Sequence, residues 1–316
     1  MTNLTIASDK LSTAEVQSVQ KLRVRMLDEN DLALPTAITK AASKQTFYTI
    51  KLLVDPERVM DAYRAYAYFR WVDDSLDAPV AQQSNRVSFL ERQQMIIDCA
   101  YQGHWPSMLT AEERMVVELI RTDREQNSGL QDYIRHMLAV MEFDAYRRGK
   151  LISAHELATY TRHLAVAVTE AMHYFIGHND SAPCGEARYF AVTAAHITHM
   201  LRDTCDDVAA GYYNIPQEFL LEHGIDATEV NSDAYREWVK NRVELARTYF
   251  NAGRDALAQA NRRCRIAGYA YMARFEGVLD AIEREGYRLR AAYPELKHLG
   301  GMLKMSWSVL GGLVRA

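Results

Sequence analysis

The chain has 316 residues, 48% hydrophobic and 25% charged, with 37 Lys and Arg against 41 Asp and Glu for a formal net charge of −4. Such a chain is globular and long enough to bury a core, and its mild acidity argues against a nucleic-acid binder, which needs a concentrated basic face. The four cysteines, Cys99, Cys184, Cys205 and Cys264, lie far apart with no C-x-x-C spacing. Neither a disulfide framework nor a structural zinc site is expected, and a reducing, cytoplasmic setting is. The opening MTNLTIASDK has no basic-then-apolar signal pattern, and no apolar run approaches the roughly 18 residues of a membrane span.

Apolar residues recur at three- and four-residue spacing throughout, while alternating Val, Ile and Thr runs are scarce, so helix is expected over strand. In chain order the pattern predicts helices over about 13–29, 38–54, 56–77, 84–102, 110–124, 128–148, 154–178, 185–210, 216–223, 232–262 and 266–290. Ser12-x-x-Glu15, Thr110-x-x-Glu113 and Ser153-x-x-Glu156 have capping-box spacing, and Pro56 and Pro216 suit first helical turns. The breaks at 77–85, 101–107, 177–185 and 222–233 are too short for interdomain linkers. One all-α domain over residues 1–316 is the economical reading.

Two of these helices carry chemistry. In YRAYAYFRWVDDSLD (63–77), Asp73 and Asp77 stand at i and i+4 with Arg70 one turn earlier. Both carboxylates project from one face, which destabilises a helix unless a cation sits between them. In HITHMLRDTCDD (196–207), Asp203 and Asp207 repeat the spacing, His199 and His196 extend the stripe, and Arg202 and Asp206 flank it. A single such pair is ordinarily solvated surface. Two pairs on facing helices would line a cleft with hard oxygen donors, suited to Mg²⁺ and to substrate phosphate oxygens.

These segments resemble the squalene/phytoene synthase family over about residues 43–287. SKQTFYTIKLL (43–53) resembles the family's opening helix and YRAYAYFRWVDDSLD its first aspartate-rich motif. LRDTCDDVAAGYYNIPQEFL (201–220) resembles the second with its following turn, and ARFEGVLDAIEREGY (273–287) the C-terminal pattern. The resemblance implies an isoprenoid-synthase helical bundle around a central cavity. It further implies a prenyl diphosphate substrate held through Mg²⁺ by Asp73 and Asp77 on one side and Asp203 and Asp207 on the other. Arg70 and Arg202 fall at diphosphate-contacting positions; Phe47, Tyr66 and Tyr160 fall at aromatic positions near the cavity, with Tyr213 in the turn after the second motif.

Departures from the pattern bear on the reaction. His199 replaces an Asn metal ligand and His196 a nearby Gln, and imidazole suits Mn²⁺ better than Mg²⁺. Val166 and Thr169 stand where the family tends to have glycine, Phe275 and Tyr293 where Tyr and Arg are expected, with Arg290 as a possible substitute. The Arg-rich lead into the family's turn is replaced by AAGYYNIP (209–216). The implied reaction is head-to-head joining of two farnesyl or geranylgeranyl diphosphates. The alternatives are ionisation and cyclisation or hydrolysis of one prenyl diphosphate, and a non-catalytic prenyl-lipid binder. Glu170-x-x-His173 and Glu295-x-x-His298 raise a di-iron redox protein as a different class. No G-x-G-x-x-G marks an NADPH site, and residues 302–316 are a candidate for peripheral membrane contact.

Overall fold

A computed structural model describes residues 33–77, 86–181, 183 and 185–293. The expected helix at 13–29, its Ser12/Glu15 cap, Glu295, His298 and the 302–316 segment lie outside these residues. Helix α1 covers 33–42. It is followed by α2 (Lys44–Leu53), a 3₁₀ turn (Pro56–Arg58), α3 (Val59–Leu76), α4 (Arg86–Tyr101), α5 (Ala111–Thr122), α6 (Gly129–Arg147) and α7 (Ala154–Phe175). A second 3₁₀ turn (Glu186–Tyr189) precedes α8 (Phe190–Ala210), α9 (Gln217–His223), α10 (Asp233–Ala258) and α11 (Arg262–Arg284). Among the described residues there is no strand, only an isolated bridge between Ile152 and Pro216. None of the described helices is long and apolar enough to cross a membrane.

Local chemistry explains where the helices differ from their expected bounds. The segment expected as one helix over 38–54 is two, because the Ser43 hydroxyl accepts from Thr46 N at 3.1 Å and caps a new start. The 232–262 helix ends at Ala258, and Asn261 starts α11 by accepting from Cys264 N at 2.9 Å. Pro216 is the N-cap of α9 rather than a first-turn residue. Both described capping boxes, at Thr110/Glu113 and Ser153/Glu156, form as expected.

Pairwise packing closes a ring: α2 on α3, α3 on α6, α6 on α7, α7 on α8, α8 on α11 and α11 on α2. Helices α4 and α5 buttress α3 and α6 from outside, and α10 lies along α8 and α11. Tyr68, Leu119, Ile134, Ile197, Phe250, Leu279 and Ile282 are fully enclosed. The α8/α10 seam is tight enough to require glycine: a Cβ on Gly253 would sit 2.5 Å from Ala191 N.

One buried charge ties distant segments together. Asp55, 5% exposed, accepts from the backbone N–H groups of Gly177 and His178 and from the Arg263 guanidinium of α11. This arrangement ends α7 at Phe175, short of the expected 178. Burial works to raise the Asp55 pKa, but the two N–H groups and Arg263 outweigh it and lower it. A carboxyl whose folded pKa lies below its unfolded value contributes stability above the unfolded value, and that stability is lost as pH falls towards the folded one. Asp55→Asn should therefore cost roughly 2 kcal/mol at pH 7. The gap from the parent should narrow below pH about 4, as urea denaturation at pH 7 and pH 3 would report.

Candidate active site

The two aspartate-bearing helices, α3 and α8, share no extensive packing among the described residues. They are bridged by α6 and by the loop that follows it, and two loops are pinned together at this end of the bundle. Gly149 N donates to Gly211 O at 2.7 Å, Arg148 Nε to Ala210 O at 2.9 Å and Gln217 N to Ile152 O at 2.8 Å. Gly211 ends α8 at φ 86°, the left-handed conformation glycine adopts without strain. The clasp holds the end of α8 against the end of α6.

At the centre of this junction lies Arg147, 7% exposed. Its Nε donates to Asp144 Oδ1 at 2.7 Å and its Nη1 to Asn214 Oδ1 at 2.9 Å. Its guanidinium stacks over the rings of Tyr160 at 4.8 Å and Tyr212 at 5.0 Å. Tyr160 donates its hydroxyl to Asp144 Oδ2 at 3.0 Å, and Asn214 Nδ2 donates to Asp207 Oδ2 at 2.8 Å. A continuous chain of contacts thus runs from Tyr160 through Asp144, Arg147 and Asn214 to Asp207. Asp144, Arg147 and Asn214 were not legible as site residues. Asp144-x-x-Arg147 reads as an ordinary i, i+3 surface pair, and Asn214 as a turn residue.

The carboxylates differ in how they are compensated. Asp73 is pushed up to about 6, by burial first and then by Asp77, Asp144 and Asp74, against the pull of Arg70. Asp207 is likewise pushed up to about 6, by burial and by Asp203 and Asp144, against Arg147 and His199. Burial also raises Asp144, with Asp77 adding to it, while Arg147 and Tyr160 oppose. Asp144 therefore sits within electrostatic reach of the carboxylates of both helices. Asp203 behaves in the opposite way: burial would raise it, but Arg202 and His199 hold it well below the usual carboxylate range.

That contrast has a geometric cause. Arg202 Nε and Nη2 donate to the two Asp203 oxygens at 2.6 Å each, and His199 Nε2 lies 2.7 Å from Asp203 Oδ2. In this arrangement His199 and Arg202 spend their donors on Asp203. On α3, Arg70 pairs with Asp73 at 3.1 Å and also with Asp74, which the expected set did not include.

The remaining expected residues fall into two groups. Tyr160 and His196 are at the junction: His196, 5% exposed, meets the Tyr160 ring edge-on at 5.0 Å. Neither of its nitrogens has a hydrogen-bond partner among the described residues, and burial above all pushes its pKa down to about 3, so it is a neutral imidazole. Tyr66 and Tyr213 are half-buried against the core. Phe47 packs at the α2/α3 seam with Tyr48 and Tyr63. Val166 and Thr169 are buried on α7, Phe275 faces His199 at 6.4 Å, and Arg290 pairs with Glu285. The first half of the di-iron reading is spent elsewhere: Glu170 accepts from Tyr189 at 2.7 Å and from Arg188, and His173 faces Cys264 at 3.6 Å.

Among the described residues no three His, Cys, Asp or Glu side chains converge on one point as a ready-made metal cage. The donor set nevertheless fits a hard divalent cation that keeps most of its own water. Asp73, Asp77 and Asp207 supply oxygen donors only, and Asp73 and Asp207 are short of positive charge. The 420 Å³ groove between α4 and α6, lined by Leu90, Met95, Leu138 and Tyr146, contains none of these residues.

A ring of helices, with a buried arginine joining α6 to α7 and to the turn after α8, defines an all-α bundle. Sequence comparison identifies it further: the family model described as squalene/phytoene synthase matches residues 39–300, and the chain belongs to that family. The chloroplastic phytoene synthase of an Oncidium hybrid cultivar is 26% identical over 77% of this chain and 59% of its own length. The 15-cis-phytoene synthase of Synechocystis sp. is 25% identical over 81% of this chain and 78% of its own. The chain spans about three fifths of the length of the Oncidium and Cucumis melo phytoene synthases. The fold is that of squalene synthase HpnC from Alicyclobacillus acidocaldarius, with a TM-score of 0.65 at 20% identity over 83% of this chain and 96% of that one. A dehydrosqualene synthase solved with a ligand gives the same TM-score at 14% identity, over 91% of this chain and 96% of that one.

The Arg147 network yields a stability prediction. Arg147→Met should cost roughly 3–5 kcal/mol, because it leaves the Asp144 carboxylate buried and unpaired. The double variant Arg147→Met/Asp144→Leu should recover most of that loss in denaturant titration, since it removes both buried charges.

Proposed function

We propose that the protein is a Mg²⁺-dependent prenyl transferase that joins two prenyl diphosphates, farnesyl or geranylgeranyl, head to head. The observation that carries this reading is the arrangement of Asp73, Asp77 and Asp207 around Asp144 and Arg147. There burial and acidic neighbours raise Asp73 and Asp207 in spite of Arg70 and Arg147, at one end of a bundle whose interior is aromatic and aliphatic. Family membership supplies the reaction class, and the carboxylates supply the reason a diphosphate would be drawn there through a cation.

An allylic C–O bond breaks heterolytically only when the departing diphosphate's new charge is neutralised, and bound divalent cations supply that neutralisation. The chain's own residues have three tasks. Asp73 and Asp77 on α3 and Asp207 on α8 would hold the cations, with Asn214 fixing the rotamer of Asp207 and Arg70 orienting Asp73. Arg147 would keep Asp144 ionised and oriented, so that Tyr160 stays turned towards it. The interior face beyond the carboxylates would exclude water, which would otherwise capture the allylic cation. Aromatic faces such as Tyr160 favour positive charge beside them. In the joining step, the double bond of the second substrate attacks the cation at C1 and a proton is lost. The product is a cyclopropyl diphosphate, and one diphosphate is released.

His199 enters this reading as the partner that holds Asp203, not as a cation ligand. Mg²⁺ is accordingly preferred over Mn²⁺. The buried β-branched residues Val166 and Thr169 favour one alternative, in which a narrower interior accepts a single tail and the enzyme cyclises or hydrolyses one diphosphate.

The test is to incubate purified protein with farnesyl or geranylgeranyl diphosphate and Mg²⁺, following diphosphate release and product mass. Release should require the cation and stop with EDTA. Asp73→Asn and Asp207→Asn should each lower it by roughly 100-fold while the far-ultraviolet circular dichroism stays unchanged. A product with twice the carbon count of the substrate establishes coupling, and a single-tail product moves the protein to the alternative. No release with either substrate, with Mg²⁺ or with Mn²⁺ in its place, overturns the enzymatic reading.

A further inference from the structure

Helix α2 turns one face to solvent, and that face is both apolar and cationic. Lys44, Tyr48, Lys51 and Leu52 stand at i, i+4, i+7 and i+8, on a single stripe, and all four are exposed. Leu52 is 70% and Tyr48 53% exposed, while Ile50 on the other side of the helix is buried in the core. Lys40, near the end of α1, is exposed as well and lies over the Phe47 ring at 5.6 Å. Helix α11 adds two guanidinium groups. Arg274 Nη1 donates to Gln45 Oε1 and Arg263 Nη1 to Leu53 O, each at 3.2 Å, one near either end of α2. Residues 33–54 contain no Asp or Glu in a chain of net charge −4, and the next acid, Asp55, is buried against Arg263. Other exposed apolar side chains are set among acids: Met95 between Glu91 and Asp98, and Leu221 between Glu218 and Glu222.

We propose that the exposed face of α2 docks the protein onto an anionic lipid bilayer, with the helix lying in the plane of the surface. The chemistry of the stripe selects this occupant. Lysine ammonium groups on long stems reach headgroup phosphates while their methylene chains stay against the apolar side chains. Leu52 enters the acyl boundary, and Tyr48 suits the headgroup level, where its ring meets apolar surroundings and its hydroxyl stays wet. The cations supply an attraction that depends on lipid charge and falls off within a Debye length. Neither contribution is large alone: α2 has ten residues, and two apolar side chains give only reversible binding. This inference stands whether or not the protein transfers prenyl groups.

The deciding experiment is co-flotation of the full chain with vesicles of phosphatidylcholine alone and of phosphatidylcholine with phosphatidylglycerol, at low and high salt. The native protein should float with the anionic vesicles, be released by about 0.5 M sodium chloride, and stay behind with phosphatidylcholine alone. K44Q/K51Q should bind the anionic vesicles roughly 30-fold more weakly, from the attraction each lysine contributes near such a surface. Y48S/L52S should bind roughly tenfold more weakly with an undiminished salt dependence. All four side chains are exposed, so both variants should keep the native far-ultraviolet circular dichroism. The lipid and salt dependence of the native chain keeps the proposal falsifiable even if a variant folds poorly. Binding that persists at full strength in both variants places the membrane contact elsewhere on the chain and overturns the proposal. So does flotation that ignores lipid charge, the absence of flotation, or binding to polyglutamate without binding to vesicles, which would make the partner an acidic protein.

Discussion

The Arg147 guanidinium has to satisfy Asp144, Asn214 and two tyrosine rings at once, from a position almost closed to water. Enclosing a full charge costs several kcal/mol unless it is matched by an opposite charge and its donors are used, and here both conditions are met. Because its partners come from α6, α7 and the turn after α8, the geometry of all three is fixed by one side chain. The backbone clasp between Gly149 and Gly211 and the Ile152–Pro216 bridge pin the same junction from outside. The distance between the α3 and α8 carboxylates is therefore set by the middle helix that separates them, and not by contact between α3 and α8.

This division of labour explains why four aspartates of similar appearance differ in charge balance. Asp203 is already paired with Arg202 through both oxygens and bonded to His199. Asp73 and Asp207 are raised to about 6 by burial and by their own acidic neighbours, and each would gain from a cation. A cation entering the cleft would thus be drawn towards Asp73 and Asp207, with Asp144 held in reserve by Arg147 between them. Tyr212, in the stretch after the second aspartate motif, packs its ring against Arg147.

Most of the helices were legible because they rest on local rules: apolar spacing and the Thr110/Glu113 and Ser153/Glu156 boxes. The aspartate pairs were legible because an i, i+4 spacing places two carboxylates on one face whatever the fold. What sequence pattern missed was non-local. Ser43 divides a continuous apolar pattern because a single hydroxyl caps a new start, and α7 stops at Phe175 because Asp55, about 120 positions earlier in the chain, captures the next N–H groups. Asp144 and Asn214 have no spacing signal at all; they matter only because the fold brings α6 and the α8–α9 turn to the same arginine.

The two histidines of α8 show how the same substitution type acquires different meanings from depth alone. His199, half exposed, finds Asp203 one turn away and uses its Nε2 there. His196, one turn deeper, finds only Tyr160 and apolar neighbours, and the positive charges of Arg147 and Arg242 add to burial in keeping it neutral. An imidazole tied to a carboxylate contributes hydrogen-bond geometry instead of a soft metal ligand, and a neutral buried one contributes shape and a weak dipole. On the proposed reading, histidines at these two positions leave carboxylate oxygens as the donors that would meet a cation. The selectivity expected of the site follows from its carboxylates, which are hard ligands, whatever the residue names on the helix suggest.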